Sequence, residues 1–541
     1  MDNNRTIIAV ALIILLWSGY SLFFPPQPPP AEQNVTVEVV AEKPQESSFS
    51  AVSEARYSSV VDQEFKSAVY DNFEEKLITV SSDLYDIKLS TKGATVRSVA
   101  LKKYKEDNTD DAKPYQLIDS SVEKAAIFKT SGSEGLFIPE DLPFNLVGDV
   151  SDIVFVNSDR ETVSFQAVTA SGLTFIKNYT FYDNSYQIDI DVELINDGEN
   201  SIKGLFNLSL DTVLPGEDDG GLENMYTFIG PVSFDGEELI EDDIEDLEKS
   251  AKIYGDGIIW SGYVSKYFLT IVNPQSSVKK IQIEYDDGVV QNKFISPFIS
   301  LYPGQKAIFK YVSFLGPIDY DLLQSVGYQF EQAKDYGFFS ILAKPLMHTL
   351  IFFYGYIGNY GFAIILLTIC IKLVFWPLTQ KSYKSMKGMQ TLQPEMQKLR
   401  EKHGKDKQKL NQEMMAFYKE NKVNPMGGCL PMLIQIPVFF ALYQVLLGAI
   451  ELRHAPFMLW ITDLSIKDPY YITPVIMGIT MFIQQKMTPT NMDPTQAKVM
   501  LMMPVVFTFL FLNFPAGLVV YWLINNLLTI LQQYLIRRQP D

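Results

Sequence analysis

The 541 residues carry 64 Asp and Glu against 45 Lys and Arg, a net charge of −19, with 2 Cys and 3 His. That length exceeds a single domain, and the acidity excludes nucleic-acid binding by the soluble part, since a surface of this sign repels phosphate. Two cysteines exclude a disulfide framework and zinc-ligand spacing, and neither a metal nor a cofactor is expected. The average also hides two populations. Residues 25–343 hold 53 acids against 25 bases, a net of −28, whereas 344–541 hold 10 against 19, a net of +9, with nearly all the long apolar runs. The chain therefore divides into an acidic soluble domain and a basic, multi-spanning membrane domain.

Residues 7–24, IIAVALIILLWSGYSLFF, follow a short segment whose basic side chain is Arg5. The run is longer than a signal-peptide core, and no small-x-small site precedes FPPQPPP, so 1–24 reads as an uncleaved transmembrane anchor with a cytoplasmic N-terminus. Residues 25–56, rich in Pro, Gln, Glu, Ser and Val, read as an extended tether. From 57 to 320 the apolar period is two. YQIDIDVELIN (186–196) sets Tyr186, Ile188, Ile190, Val192 and Leu194 on one face and acids on the other, the pattern of a half-buried antiparallel strand. TVSFQAV (162–168), LTFIKNYTF (173–181), IKGLFNLSL (202–210) and VKKIQIEY (278–285) repeat it between turn clusters, which predicts a many-stranded β-sandwich. The acidic run 235–249 reads as a solvated surface helix or loop.

Beyond Pro317 the period becomes helical. Residues 321–356 are expected to form a short surface helix and then an amphipathic helix at the membrane face, with Phe338, Phe339, Leu342, Leu346, Leu350 and Phe353 interleaved with Lys344 and His348. Residues 357–378, IGNYGFAIILLTICIKLVFWPL, are long enough to span a bilayer, yet contain Lys372, the one formal charge in the run. A cation at the centre of a membrane helix costs on the order of 2.5–3.5 kcal/mol. It is expected to face a wet cavity, with Thr368 on the same helix face; the competing reading is a lysine stem that snorkels to the headgroups. Residues 379–428 carry the strongest basic excess of any inter-span loop, so they belong in the cytoplasm. Their two apolar stripes predict a helical hairpin, in which Met386, Met389, Met396, Met414 and Met415 either fill the core or form an adaptable recruitment surface. Residues 429–541 divide into four more spans, with NFPAG (513–517) splitting the last run. That makes six transmembrane helices and a cytoplasmic C-terminus.

Hydrogen-bonding side chains recur at membrane depth. Tyr521, Asn525 and Gln532 fall on one stripe of the last span, Gln435 lies in the third, Gln485 toward the inner end of the fourth and Thr508 in the fifth. Each alone reads as interhelical glue worth about 0.6 kcal/mol; with Lys372 they read as the walls of a water-filled groove. GxxxxGK[ST], HExxH and GxSxG are all missing, and the three histidines lie outside the β-domain, so no enzyme is expected. The rival reading is an ion-coupled transporter using Lys372; it requires mid-depth carboxylates, and no expected span contains Asp or Glu. A second rival is a carbohydrate-processing or carbohydrate-binding outer domain on a passive anchor, and the lack of histidine there argues against the enzyme but not against binding.

The runs VNPMGGCLPMLIQIPVFFALYQVL (423–446), PLTQKSYKSMKGMQTLQPEMQKLREK (377–402), DPYYITPVIMGITMFIQQKM (468–487) and FPAGLVVYWLINNLLTILQQ (514–533) resemble the signatures of YidC-type membrane protein insertases of the Gram-negative branch. The resemblance implies a bacterial inner-membrane protein with a periplasmic β-super-sandwich, an all-α insertase core and a lipid-open hydrophilic groove. It implies nascent membrane proteins as substrates, and the Sec translocon, ribosome and signal-recognition components as partners. The groove's basic residue, usually arginine in the family, falls on Lys372, which keeps the charge and loses the bidentate fork. Some relatives carry a long basic C-terminal tail that assists ribosome binding; the sequence here ends at RRQPD, and that contact is not expected of it.

Overall fold

The computed structural model describes residues 73–538 apart from 110, 120–125, 215–227, 404–405, 422–429 and 489–493. The expected anchor 1–24 and the tether 25–56 lie outside them. The described part of the β-domain runs from a first strand at Leu77–Ser81 to a last at Lys306–Pro317. Its strands form two sheets, one of eleven strands and one of nine among the described residues. Alternation dictates the layering. In Gln187–Asn196 the side chains of Ile188, Ile190, Val192 and Leu194 are wholly buried, at about 1.5–3 kcal/mol each. Gln187–Asn196 pairs on one side with Leu173–Tyr182 and on the other with Lys306–Pro317, antiparallel to both. The two sheets meet face to face, with the ring of Phe175 6.2 Å from Phe206 and that of Phe294 6.2 Å from Tyr311. The acidic run 235–249 is only partly solvated. It forms the strand Leu239–Glu241 and one helical turn, Ile244–Leu247, with Leu247 buried and Asp242 accepting the Tyr254 hydroxyl at 2.7 Å.

One core position of this domain breaks the apolar rule. Lys177 occupies an inward register of Leu173–Tyr182 and is 0% exposed. Its partner is a β-bulge in Ala126–Ser133. The register against Ile202–Val213 slips there, and Phe128, at φ +61°, is the extra residue. A bulged residue leaves its polar groups outside the ladder. Lys177 Nζ donates to the Phe128 carbonyl at 2.5 Å and to the Gly93 carbonyl at 3.4 Å, while the neighbouring Tyr179 hydroxyl donates to the Ala94 carbonyl at 2.6 Å. Gly93 and Ala94 also have positive φ. Two side chains of one sheet thus satisfy the irregular backbone of the other, and burial pushes the Lys177 amine well below the ordinary lysine range.

Helices follow: α1 (Tyr320–Val326), α2 (Ser340–Ile357), α3 (Tyr360–Thr391), α4 (Gln393–His403), α5 (Lys407–Glu420), α6 (Leu430–Leu447), α7 (Ile472–Met487), α8 (Pro494–Phe511) and α9 (Ala516–Arg538). Three differ from the sequence expectation. The surface helix stops at Val326, because Gly327 (φ +88°), Tyr328 and Gln329 all take positive φ. On α2 the inward residues are Ala343, Met347 and Leu350, whereas Phe338 and Leu342, placed on its apolar stripe, are 93% and 40% exposed. And α3 runs through Pro377, joining the second span to the first hairpin arm. Proline is tolerated inside such helices because neighbouring groups can re-satisfy the freed carbonyl. Among the described residues three helices are long and apolar enough to cross a membrane, Gly337–Ile357, Tyr360–Tyr383 and Ala516–Ile536.

The β-domain touches the helical core at the loop between α6 and α7. The Arg453 guanidinium lies 5.3 Å from the ring of Tyr115 and 5.7 Å from that of Phe268, and it donates to the Glu106 carbonyl at 3.2 Å. Asn108 donates to the Thr462 carbonyl at 2.8 Å. Beside this contact Lys334 Nζ sits 3.7 Å from Glu451 with both side chains largely buried, and burial pushes the Glu451 carboxyl above its ordinary value.

Candidate functional site

The turn between α2 and α3 fixes where Lys372 begins its climb. Gly358, at φ +69°, takes the left-handed C-cap that suits glycine, and its N–H donates to the Tyr354 carbonyl at 2.7 Å. Asn359 then caps α3, accepting from the Phe362 N–H at 3.1 Å. Its amide donates to the carbonyls of Pro456 and Phe457 in the α6–α7 loop at 3.1 and 3.0 Å. A Cβ at Gly361 would lie 2.0 Å from the Phe457 ring, so only glycine permits this approach. That end of α3 is pinned.

Farther along, α3 and α9 are joined by a polar seam. Lys372 Nζ donates to Thr529 Oγ1 at 2.8 Å, and the Thr529 hydroxyl donates to the Asn525 carbonyl at 2.7 Å. Gln532 Nε2 donates to Thr379 Oγ1 at 2.6 Å. Gln533 Nε2 donates to the Tyr383 hydroxyl at 3.2 Å and to Thr488 Oγ1 at 3.0 Å. Residues 372, 379 and 383 are spaced 7 and 4 apart, which places them on one stripe of α3. Among the described residues Lys372 forms no ion pair, and the Thr529 hydroxyl is its protein partner.

The eight expected groove residues fall into separate groups. Lys372 and Gln532 lie in the seam, and Asn525 contributes its carbonyl there through Thr529. Gln435 Nε2 donates to the Tyr521 hydroxyl at 2.9 Å, joining α6 to the same helix α9. Thr368 is buried and donates back to the Ile364 carbonyl of its own helix at 2.7 Å. Gln485 and Thr508 belong to the α7–α8 contact instead. Gln485 donates to the Met500 carbonyl, while Thr508 donates to its own Pro504 carbonyl at 2.7 Å and packs over Gly478, whose added Cβ would lie 1.9 Å from Thr508 Oγ1. Trp522 fills the space between, edge-on to Phe439 at 4.8 Å.

Thr379, Tyr383, Thr529 and Gln533 were not expected among the groove residues, Tyr383 having been read as part of the hairpin's first apolar stripe. Thr529 was within reach, since Tyr521, Asn525 and Thr529 recur every four residues. In the hairpin, Met396 is buried and Met415 is 57% exposed, while Met414 is half-buried; the side chains of Met386 and Met389 lie outside the described set.

The family models match in two consecutive blocks, the YidC periplasmic domain over residues 77–349 and the 60Kd inner membrane protein over 352–541. A protein of Geotalea daltonii named membrane protein insertase YidC is 44% identical over 539 residues, covering 99% of each chain. The chain belongs to the YidC family. Another YidC, from Syntrophus aciditrophicus, is 43% identical over 558 residues and covers 100% of both chains. A solved structure of an active YidC insertase with its first transmembrane domain resolved is 18% identical, covers 85% of this chain and 93% of that one, and has a TM-score of 0.37. In YidC terms the β-sandwich is the periplasmic domain, and the loop carrying Arg453 is the part of the helical core that it grips.

Proposed function

We propose that this chain inserts nascent membrane proteins into the bacterial inner membrane, using Lys372 as the electrostatic contact for the hydrophilic flank of an incoming segment. One observation carries the reading: in a helix apolar and long enough to span the bilayer, an ammonium hydrogen-bonds a single threonine and has no acidic partner among the described residues. A charge kept at such depth without a counter-ion serves a transient one. The apolar helix of the substrate slides along the lipid side, its flank rests near Lys372, and the half-buried polar side chains of Asn525 and Gln435 reduce the desolvation cost of crossing. Burial of the apolar segment in lipid then drives release.

In this reading the chain crosses the membrane six times, through 7–24, α3, α6, α7, α8 and α9, with both termini in the cytoplasm. The helix α2 lies at the periplasmic interface. The hairpin α4–α5 is cytoplasmic, meets ribosomes and signal-recognition components, and the core works alone or beside the Sec translocon. The test is Lys372→Ala in reconstituted vesicles with single-span substrates that differ only in their flank. Insertion of the acidic-flank substrate falls about 10-fold, the weight of one hydrogen bond to a charged group, and the neutral-flank substrate is little changed. An equal loss for both would refute attraction by charge.

A further inference from the structure

The hydroxyl of Thr529 sits at a branch point. Its single proton is committed to the Asn525 carbonyl at 2.7 Å, one turn back on α9, so what it turns toward Lys372 Nζ at 2.8 Å is a lone pair. A threonine hydroxyl has one donor and two acceptor sites, and a lysine ammonium has three donors and no acceptor. The result is a lysine held by one of its three N–H groups, on the side of α9, with the other two unclaimed by protein among the described residues. Without the anchor a four-carbon stem is free to snorkel to the headgroups, the bland fate of an intramembrane lysine. Thr529 is 4% exposed, and its backbone belongs to a helix packed against α3 and α7, so its hydroxyl is a fixed point.

We propose that Thr529 is the positioning residue for Lys372: by accepting one N–H it holds the ammonium at depth and aims the remaining two at the flank of the substrate. Two donors from one nitrogen suit a single carboxylate, or two backbone carbonyls of a short extended flank, and this sets the preference for Asp or Glu over Asn or Gln. The proposal rests on the groove reading of Lys372. A lysine in this position needs a threonine partner in a way that a planar guanidinium with five donors does not.

The full chain is reconstituted in vesicles and offered two single-span substrates that differ only by Asp-Asp or Asn-Asn in the flank. Thr529→Val keeps the shape and removes the acceptor; it lowers the Asp-Asp yield by about 3-fold to 10-fold, the weight of one ordinary hydrogen bond, and leaves the Asn-Asn yield within about 2-fold. Thr529→Ser restores the Asp-Asp yield, and Thr529→Val adds nothing on top of Lys372→Ala. Equal losses for both substrates, failure of serine to rescue, or a further drop in the Lys372→Ala background overturns the proposal. If Lys372→Ala itself does not separate the two substrates, the groove reading falls and takes this one with it; if it separates them and Thr529→Val does not, only the role of Thr529 is lost. Should the valine variant not accumulate, Thr529→Ala set against Thr529→Ser gives the same contrast.

Discussion

Two lysines, one in each half of the molecule, occupy positions where sequence patterns call for an apolar residue, and they are held in opposite ways. Lys177 lies between the two sheets with no exposed surface, and carbonyls of Phe128 and Gly93 receive its amine. With no surface open to solvent, an amine engaged by two carbonyls offers nothing to a ligand. Lys372 is half-buried and touches one hydroxyl. The saturated amine repairs a bulge. The unsaturated one retains capacity for a ligand. On the proposed function, what separates the structural lysine from the functional one is the donors left accessible after the protein has taken its share, rather than depth alone.

The comparison breaks first at Lys177. Lys177→Ala opens a cavity and orphans carbonyls at Phe128 and Gly93, so unfolding of the periplasmic domain in the solubilised full chain is expected to move by about 3–5 kcal/mol. Lys177→Met, which fills the volume, recovers part of that. The same group gives the domain a pH dependence of definite sign. Its amine titrates lower in the folded than in the unfolded chain, so the unfolded state binds more protons between those two values. The contribution of Lys177 to stability is then complete above about pH 10.4 and is lost as pH falls toward the folded value. Denaturation midpoints measured across the alkaline range check this, and Lys177→Met flattens the slope.

Lys372 is expected to behave in reverse. Lys372→Ala costs the fold about 0.6–1 kcal/mol, the scale of one interhelical bond, while acidic-flank insertion carries the main loss; a large loss of thermal stability in detergent would merge the two lysines into one class. Lys372→Arg sharpens the contrast, because five donors make it indifferent to Thr529→Val, checked by flank selectivity in the double variant. The smallest effect belongs to the neighbouring bond of the seam. Gln532→Leu removes the link to Thr379 at a cost of about 0.6 kcal/mol, with flank selectivity unchanged in the insertion assay.

Period-two alternation made the sandwich legible, down to the inward set of Gln187–Asn196. The same register, carried through LTFIKNYTF, puts Lys177 on the core face, but the bulge at Phe128 that explains it is set by pairing with a strand some 80 residues downstream and leaves no local mark. Lys372 stood out because a lone charge in an apolar run is costly. Thr529 did not, since a threonine hydroxyl ordinarily satisfies itself on the preceding turn, and here it does so while also accepting from Lys372. The span expected over 357–378 runs on as one helix to Thr391, with Pro377 inside it. Nor could spacing separate Gln485 and Thr508 from the seam, because which helices are neighbours is a tertiary fact.

The glycine at position 361 has a mechanical consequence. With Asn359 tied to the carbonyls of Pro456 and Phe457, and a phenyl ring seated where any larger side chain would project, α3 is clamped at the end nearest the periplasmic domain. At 1.5 Å per residue the thirty-two residues of Tyr360–Thr391 reach about 48 Å. Hydrogen bonds to α9 hold the rod again at Lys372, Thr379 and Tyr383, so the lever arm is short: it is the overhang beyond Tyr383, which leads into the methionine-bearing hairpin.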